Sequence, residues 1–432
     1  MRSVARVQKR LVDLRMGFAR LLGRSKMARP IKPTIALAWM VLFLTLGIFS
    51  LYWLVVLKHH TYGGDYQIYL NAYSTARKGL NPYAPYSVGS GFVSHPIVMD
   101  LLRLLFFKDE HQSLVIWSGV SVGAWLVSLA VALYLAPWHD SNKEGSLSRA
   151  IGATFIPALF LLFGPFLEAI TVGQIDTLAL VFVLGSLLFS ELDKPVPAGV
   201  SIGVAILIKT SPVVFLVYFV LTRRYRVVVF AGITAVVLTL LSGLPFPGDV
   251  SGQFVSILPK LSNEIHPTRY NLSLGSTVFR LLGDSSSWWT SSLIPVANKV
   301  LLFIAVGTLS LWAWRMDHNT RKRRLWLFAC FQIIMVLFSP LVWYHHFVFL
   351  LFPLVLLSSE SSFAVRSIGV TSMTLIQAER YWEAMVRAIP WPCLVALLLM
   401  FATAYVCFIR PPLTQKPVNL SINAGEAASG RP

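Results

Sequence analysis

The sequence predicts an all-α membrane protein, a polytopic bundle of transmembrane helices. Of its 432 residues, 56% are hydrophobic and only 13% are charged, against roughly 25% charged in soluble domains. Several apolar runs reach the roughly 20 residues that one membrane-crossing helix needs, and lipid satisfies no exposed backbone groups. The net charge of +18 comes largely from an N-terminal arm and short basic loops, which indicates membrane topology and not nucleic-acid binding.

Residues 1–33 form a basic arm that contains ten of the 37 Lys and Arg residues. Two explanations stay open for it: a topogenic positive tail, or a surface helix on anionic lipid. Both place the N-terminus in the cytoplasm. The apolar run Thr34–Leu57 is too long for a signal-peptide core and is expected to remain as an anchor.

The transmembrane domain is predicted to cover residues 34–410, and a disordered tail covers residues 411–432. Nine further spans are predicted: Ser113–Ala136, Ala150–Phe166, Ile175–Ser190, Ala198–Leu221, Val227–Leu244, Leu293–Trp314, Leu325–Phe338, Trp343–Leu357 and Trp391–Ile409. The basic clusters at Arg223 and Arg315 are expected in the cytoplasm, so the loops 63–91 and 245–292 should face the opposite side.

Two segments leave the number of spans open at about 10–12. The short run His95–Phe107 contains Asp100 and Arg103, which favours an in-plane or re-entrant helix. The span around Lys209 and Pro212 is predicted to break into two half-helices, because proline removes a backbone donor and disfavours helix before it.

The first outer loop begins with "GGDYQIYLNAYSTARKGLNPY". Its apolar and aromatic residues recur at steps of three and four, which predicts an amphipathic helix at the membrane interface, ending at Gly79. Asp65 is expected at the N-cap, where a carboxylate accepts backbone N–H bonds. The positive end of the helix also stabilises an ionised carboxylate, so Asp65 is equally a candidate general base.

Polar residues also interrupt the apolar sequence further along the chain. They are Lys209 in "LIKTSP", Asn271 and Arg280 in "NLSLGSTVFR", and His345 and His346 in "SPLVWYHH". Each one alone has a structural explanation, such as a snorkelling side chain or a loop cap. A lysine deep in apolar sequence is nevertheless expected to meet an anion or a carboxylate.

The joint order of these motifs, with "HPI" at residue 95 and "GQID" at residue 173, resembles glycosyltransferase family 87. The resemblance covers about residues 64–352 and implies a C-type membrane glycosyltransferase fold. This chain departs from the family pattern at Pro96-Ile97, where a proline pair is usual, and at Ala84, where an aspartate is usual.

The resemblance implies a role for each matching residue. It matches Asp65 to the catalytic aspartate of the first loop, and His345 and His346 to a catalytic tryptophan-histidine-histidine motif. The substrate-binding set that it predicts is Tyr66, Tyr69, Tyr83, His95, Gln174, Lys209, Asn271 and Arg280. Stacking of Tyr66, Tyr69, Trp288 and Trp289 on a sugar is as compatible with the sequence as an aromatic interface belt.

The implied reaction moves a sugar, a hexose such as mannose or an arabinofuranose, from a polyprenyl-phosphate donor to a lipid or glycan acceptor. It belongs to cell-envelope glycan synthesis at the outer face of a bacterial plasma membrane. Asp65 would deprotonate the acceptor in an inverting displacement, and neither a cofactor nor a metal is expected. A flippase or transporter of lipid-linked sugars is the main alternative, and a structural assembly subunit is a third.

Overall fold

The computed structural model describes residues 63–84, 91–105, 110–136, 159–263, 268, 270–282, 293–315, 320–360, 362–385 and 390–409. The basic arm, the predicted first span, Trp288, Trp289 and the predicted tail lie outside the described residues.

All regular structure within the described residues is helical. The first eight α-helices are α1 Gly64–Arg77, α2 Ile97–Leu105, α3 Glu110–Leu135, α4 Gly164–Val172, α5 Asp176–Glu191, α6 Pro195–Ile208, α7 Phe215–Leu221 and α8 Tyr225–Leu241. The next seven are α9 Val250–Asn263, α10 Leu274–Leu282, α11 Ile294–Arg315, α12 Arg321–Leu337, α13 Leu351–Ser359, α14 Phe363–Met385 and α15 Trp391–Ile409. Two 3₁₀ segments, Ser211–Val214 and Tyr344–Leu350, precede α7 and α13.

The predicted all-α membrane fold is confirmed. Within the described residues, three helices are long and apolar enough to cross a membrane: Gln112–Leu135 in α3, α11 and α15. Five shorter apolar helical segments accompany them. The predicted bounds agree with the observed helices to within a few residues for α3, α5, α11, α12 and α15, whereas the full number of spans stays a prediction.

The centre of the bundle is α12, whose residues from Leu325 to Leu337 are all buried. A helix that is buried on every side belongs to the core. By contrast, α11 exposes large apolar side chains such as Phe303 and Ile304, as expected for a helix that faces lipid. Helix α6 packs against both α5 and α8.

The predicted break near Lys209 is confirmed. Helix α6 ends at Ile208, Lys209 is extended, and the chain resumes as a 3₁₀ turn that contains Pro212 before α7 begins. Lys209 lies outside regular helix, and its side chain extends from the break to Asp176. This break positions the ammonium group at the site described below.

The predicted N-cap role of Asp65 is wrong. The N-cap of α1 is Gly63, whose left-handed backbone (φ 80°) turns the chain into the helix, and Asp65 is the second helical residue without a side-chain capping bond. The apolar face of α1 is buried within the protein, and Leu80 lies beyond the helix and is exposed. The interfacial position of α1 stays a prediction.

Helix α14 is a long helix that is not among the predicted spans. Its charged residues lower its hydropathy, yet polar side-chain contacts tie it to its neighbours. The Gln377 side chain accepts a hydrogen bond from Gly164 N–H (2.7 Å) and donates one to the Leu162 carbonyl (2.9 Å). Glu379 accepts a hydrogen bond from Cys393 N–H at the start of α15 (3.1 Å). These side chains satisfy backbone groups at the starts of two other helices.

Candidate active site

A cavity of about 1210 Å³ opens between the N-terminal parts of α1 and α5, the break after α6 and the 3₁₀ segment before α13. Its wall combines ionisable and amide side chains with aliphatic ones. The ionisable and amide residues include Asp65, Glu168, Gln174, Asp176, Lys209, His345 and His346. The aliphatic residues include Val213, Val255, Leu258, Leu302 and Met335. The cavity therefore has both polar and apolar surface.

Asp65, Gln174 and Tyr69 form a hydrogen-bonded chain on this wall. Gln174 Nε2 donates to Asp65 Oδ2 (2.6 Å), and the Tyr69 hydroxyl donates to Gln174 Oε1 (2.8 Å). Burial, and then the carboxylates of Asp65 and Asp176, raise the pKa of Tyr69, so its hydroxyl stays protonated. The chain fixes the amide of Gln174, which in turn orients the Asp65 carboxylate.

Two glycines bring α1 and α4 close enough for this contact. Gly63 N–H donates to the Thr171 carbonyl (2.9 Å). Gly173 ends α4 in a left-handed conformation (φ 76°), and a Cβ atom there would lie 2.6 Å from Tyr66 Cβ. Only glycine readily adopts this conformation and leaves space for Tyr66. Trp117 Nε1 donates to the Gly173 carbonyl (2.8 Å) and holds the same turn.

Lys209 reaches Asp176 at the start of α5. Its Nζ forms an ion pair and hydrogen bond with Asp176 Oδ1, and the Asp176 side chain is fully buried. The expectation that this lysine meets an anion or a carboxylate is therefore confirmed. Lys209 keeps about a fifth of its side chain exposed, so its charged end borders the cavity.

His345 and His346 lie in the 3₁₀ segment before α13, with perpendicular rings 4.6 Å apart between centroids. His345 Nδ1 is 3.5 Å from Glu168 Oε1, and His345 Nε2 is 3.8 Å from Asp176 Oδ2. His346 Nε2 is 3.6 Å from that same oxygen. Both imidazoles thus lie around one buried carboxylate.

A loop of residues 338–343 precedes the histidines, and Asn271 holds it. Asn271 Oδ1 accepts hydrogen bonds from Val342 N–H (2.9 Å) and Ser273 N–H (3.1 Å), while Nδ2 donates to the Pro340 carbonyl (3.0 Å). Leu272 N–H also donates to the Val342 carbonyl (2.7 Å). The segment before α10 therefore sets the position of the histidines.

The structure brings seven of the predicted site residues to the cavity wall: Asp65, Tyr69, His95, Gln174, Lys209, His345 and His346. As placed in the described part of the chain, the other four do not line the cavity themselves and make structural contacts. Tyr66 packs on Trp117, Tyr83 donates to the Ser94 carbonyl, Asn271 binds the loop before the histidines, and Arg280 donates to the Thr268 carbonyl. The catalytic and binding roles of all eleven stay predictions.

The sequence pattern assigns no role to Asp176 in "GQID" or to Glu168, yet both line the cavity. The available signal was physical, since a carboxylate inside an apolar span needs a partner. Lys209 was identified by that same rule, and the two residues are in fact partners. Glu168 lies next to the predicted span that ended at Phe166, where an acidic residue resembles an ordinary loop residue.

Asp176, His345 and His346 each offer one ligand atom, and these atoms lie within 4.8 Å of one another. Such a set could hold a divalent metal ion. Two features disfavour it: Lys209 already occupies Asp176 Oδ1, and His346 Nδ1 accepts a hydrogen bond from Trp343 N–H (3.1 Å). A neutral imidazole that accepts at Nδ1 carries its proton on Nε2, which leaves no lone pair there for a metal.

The sequence model of glycosyltransferase family 87 matches residues 95–340, more than half of the chain. The chain belongs to glycosyltransferase family 87. The matched region contains Gln174, Asp176 and Lys209, whereas Asp65 and the histidine pair lie outside it.

Curated relatives of this family 87 protein come from mycobacteria. A polyprenol-phosphate-mannose-dependent alpha-(1-2)-phosphatidylinositol mannoside mannosyltransferase of Mycolicibacterium smegmatis is 26% identical over 295 residues, 63% of this chain and 64% of the relative. The corresponding phosphatidylinositol pentamannoside mannosyltransferase of Mycobacterium tuberculosis is 25% identical over 237 residues, 54% of this chain and 52% of the relative. The similarity thus spans less than two thirds of either relative.

Proposed function

We propose that this family 87 protein is a membrane glycosyltransferase that moves a mannosyl group from a polyprenyl-phosphate donor to a lipid-linked glycan acceptor. The cavity carries the proposal, because its wall combines an oriented carboxylate, an ammonium group, two imidazoles and aliphatic surface. A donor with an apolar chain, a phosphate and a sugar requires all of these in one place. The names of the relatives support mannose and a phosphatidylinositol mannoside type of acceptor.

Asp65 is the proposed general base. It takes the proton of the acceptor hydroxyl, the acceptor oxygen forms a bond to the anomeric carbon, and the bond from that carbon to the phosphate oxygen breaks. Polyprenyl phosphate leaves with the bonding electrons. The hydrogen bond from Gln174 fixes Oδ2 of Asp65, and Oδ1 is the oxygen proposed to face the acceptor.

Lys209, His345 and His346 are proposed to stabilise the charge that develops on the leaving phosphate. An ammonium group and imidazole N–H groups donate hydrogen bonds to phosphate oxygens, and such charge-assisted bonds strengthen in a site that excludes water. The reaction is proposed at the outer face of the membrane. Basic loops indicate which helix ends are cytoplasmic, and the cavity lies at the other ends of these helices.

The test uses purified protein in lipid nanodiscs with radiolabelled polyprenyl-phosphate mannose, glucose or arabinofuranose, each with and without a phosphatidylinositol mannoside acceptor. We expect transfer from the mannose donor. Asp65→Asn should lower kcat by about 10²- to 10⁴-fold, the range for loss of a general base. Asp249→Asn is the matched control, because Asp249 is exposed and accepts a local hydrogen bond from Gly252.

Unchanged transfer in Asp65→Asn would reject the base assignment and leave the enzyme class intact. No transfer from any donor, together with movement of donor across the bilayer, would instead support a flippase of lipid-linked sugars.

A further inference from the structure

Asp176 has a fully buried carboxylate at the cavity wall, next to three other groups of that wall. One oxygen pairs with Lys209, and the other lies 3.6 Å from His346 Nε2 and 3.8 Å from His345 Nε2. Within the described residues, this second oxygen and both ring nitrogens of His345 have no hydrogen-bond partner. The group is therefore placed to act on these neighbours.

A buried carboxylate is costly unless cations or hydrogen-bond donors surround it. The converse holds for Lys209, because an ammonium group among apolar side chains loses its proton or turns away unless an anion holds it. Lys209 also lies over the ring of Phe349, 5.4 Å from its centroid. The carboxylate thus holds the ammonium group at one point of the cavity wall.

The orientation of His346 follows from its hydrogen bonds. Because Nδ1 accepts from Trp343 N–H, the neutral ring carries its proton on Nε2, and this N–H faces Asp176. His345 presents Nε2 to the same oxygen and Nδ1 to Glu168. A shift of less than 1 Å would bring either imidazole within hydrogen-bond distance of the carboxylate.

We infer that Asp176 is a positioning residue of the transfer reaction, which holds the Lys209 ammonium group and the imidazoles of His345 and His346 where the phosphate of the donor binds. The inference rests on the proposed function. Within the described residues, the titratable groups around Asp176 include Lys209 from the break after α6, His345 and His346 from the 3₁₀ segment, Glu168 from α4, and Asp65 and Tyr69 from α1.

The first variant is Asp176→Asn, which keeps the shape of the side chain and removes its charge. We expect kcat to fall about 10- to 100-fold, the range for loss of an outer partner that orients a reacting group. Inhibition by polyprenyl phosphate should weaken with it, while KM for the acceptor should stay unchanged. Loss of a residue with only a structural role would not weaken inhibition by polyprenyl phosphate while leaving KM for the acceptor unchanged.

The second variant exchanges the pair, Asp176→Lys with Lys209→Asp. It restores an ion pair between the same two positions but moves the ammonium group away from the cavity wall. We expect it to recover thermal stability relative to Asp176→Lys alone, and kcat to remain low. Recovery of wild-type kcat together with stability would overturn the inference.

The matched control is Glu191→Gln at the opposite end of α5. Glu191 is also a nearly buried carboxylate, paired with Arg224 and Arg324, so its loss should lower thermal stability and leave kcat per folded molecule unchanged. Wild-type kcat and wild-type inhibition in Asp176→Asn would overturn the inference and leave the proposed function standing.

Two further measurements separate the alternatives, one with a chelator and one of direct binding. If a chelator abolishes transfer and a divalent cation restores it, the cluster is a metal site and the inference is wrong. If the wild type transfers no sugar, the proposed function fails. Direct binding of radiolabelled polyprenyl phosphate then still tests Asp176, because equal binding by wild type and Asp176→Asn would overturn the positioning role.

Discussion

At the scale of single residues, His95 illustrates how burial determines a protonation state. The ring is almost fully buried, and burial lowers the pKa of His95 to about 4. Nδ1 accepts a hydrogen bond from Ile97 N–H at the start of α2 (3.2 Å), and Nε2 lies 3.1 Å from Thr239 Oγ1. The neutral ring therefore donates from Nε2, and a proton on Nδ1 would break the contact with Ile97.

This geometry predicts acid sensitivity. An unfolded chain binds the proton of His95 near pH 6.5, and the folded chain only near pH 4, so the contribution of His95 is complete above pH 6.5 and is lost as pH falls towards 4. The loss is at most about 3 kcal/mol. His95→Asn keeps an acceptor for Ile97 and cannot titrate, so its stability in nanodiscs should decrease less between pH 7 and pH 5.

Thr239→Val is the control for this prediction, because it removes the partner of Nε2 and leaves the titrating ring in place. It should retain the pH dependence of the wild type. Equal pH dependence in His95→Asn and wild type would show that a group other than His95 causes the acid sensitivity.

Residue chemistry was predictable from the sequence where one local rule applied. Lys209 stood out as a lysine in apolar sequence, and the structure supplies the carboxylate that this rule requires. Asn271 was also conspicuous, but its hydrogen bonds to a loop 69 residues away could not be read from local spacing. Hydrogen-bond partners that lie far apart in sequence are brought together by the packing of whole helices, which local spacing does not reveal.

At the scale of helices, the contact between α6 and α8 depends on small residues. Gly199 and Gly203 are four residues apart in α6, and Cβ atoms there would lie 2.5 Å from Phe230 Cβ and 2.9 Å from the Ala231 carbonyl oxygen. Small residues at this spacing let helices in lipid approach closely, where apolar surface alone provides little driving force. This contact holds the half-helix that ends at Lys209.

Gly203→Ala should therefore destabilise the protein, because the backbone of α8 must move to admit the methyl group. We expect a cost of about 1–3 kcal/mol, as for other overpacked positions. Gly232→Ala in α8 is the matched control, since a Cβ atom there meets nothing within 4 Å. It should be neutral or stabilising by up to about 1 kcal/mol through helix propensity.

Thermal unfolding of the two variants in the same nanodiscs checks this prediction. Equal melting temperatures for Gly203→Ala and Gly232→Ala would mean that α6 and α8 separate at no cost, contrary to the close approach of their backbones.

Element prediction succeeded where a helix is long and apolar, as in α11 and α15, because length and hydropathy alone then decide the outcome. It was wrong at the cap of α1, where the N-cap is Gly63, whose N–H donates to the carbonyl of Thr171 more than 100 residues away. It missed α14, whose low hydropathy is offset by the contacts of Gln377 and Glu379 with other helices.

At the scale of the whole molecule, the two ends of α5 lie in different surroundings. Its first residue, Asp176, borders the cavity, and its last residue, Glu191, contacts Arg224, Arg321 and Arg324. The helix has 16 residues and so spans about 24 Å, close to the thickness of a hydrocarbon core. Because cytoplasmic loops carry the excess of basic residues, the Glu191 end should be cytoplasmic and the cavity should open outward.

Single cysteines on the two sides test this orientation. Cys330 and Cys393 are buried and Cys407 is partly buried, so all three are first replaced by alanine. Lys78 follows α1 and Lys194 precedes α6, and both are exposed. A membrane-impermeant maleimide should label Lys78→Cys in intact bacterial cells and Lys194→Cys only after permeabilisation. The reverse pattern would place Asp65 and the cavity in the cytoplasm, where the donor phosphate would have to approach from the inner leaflet.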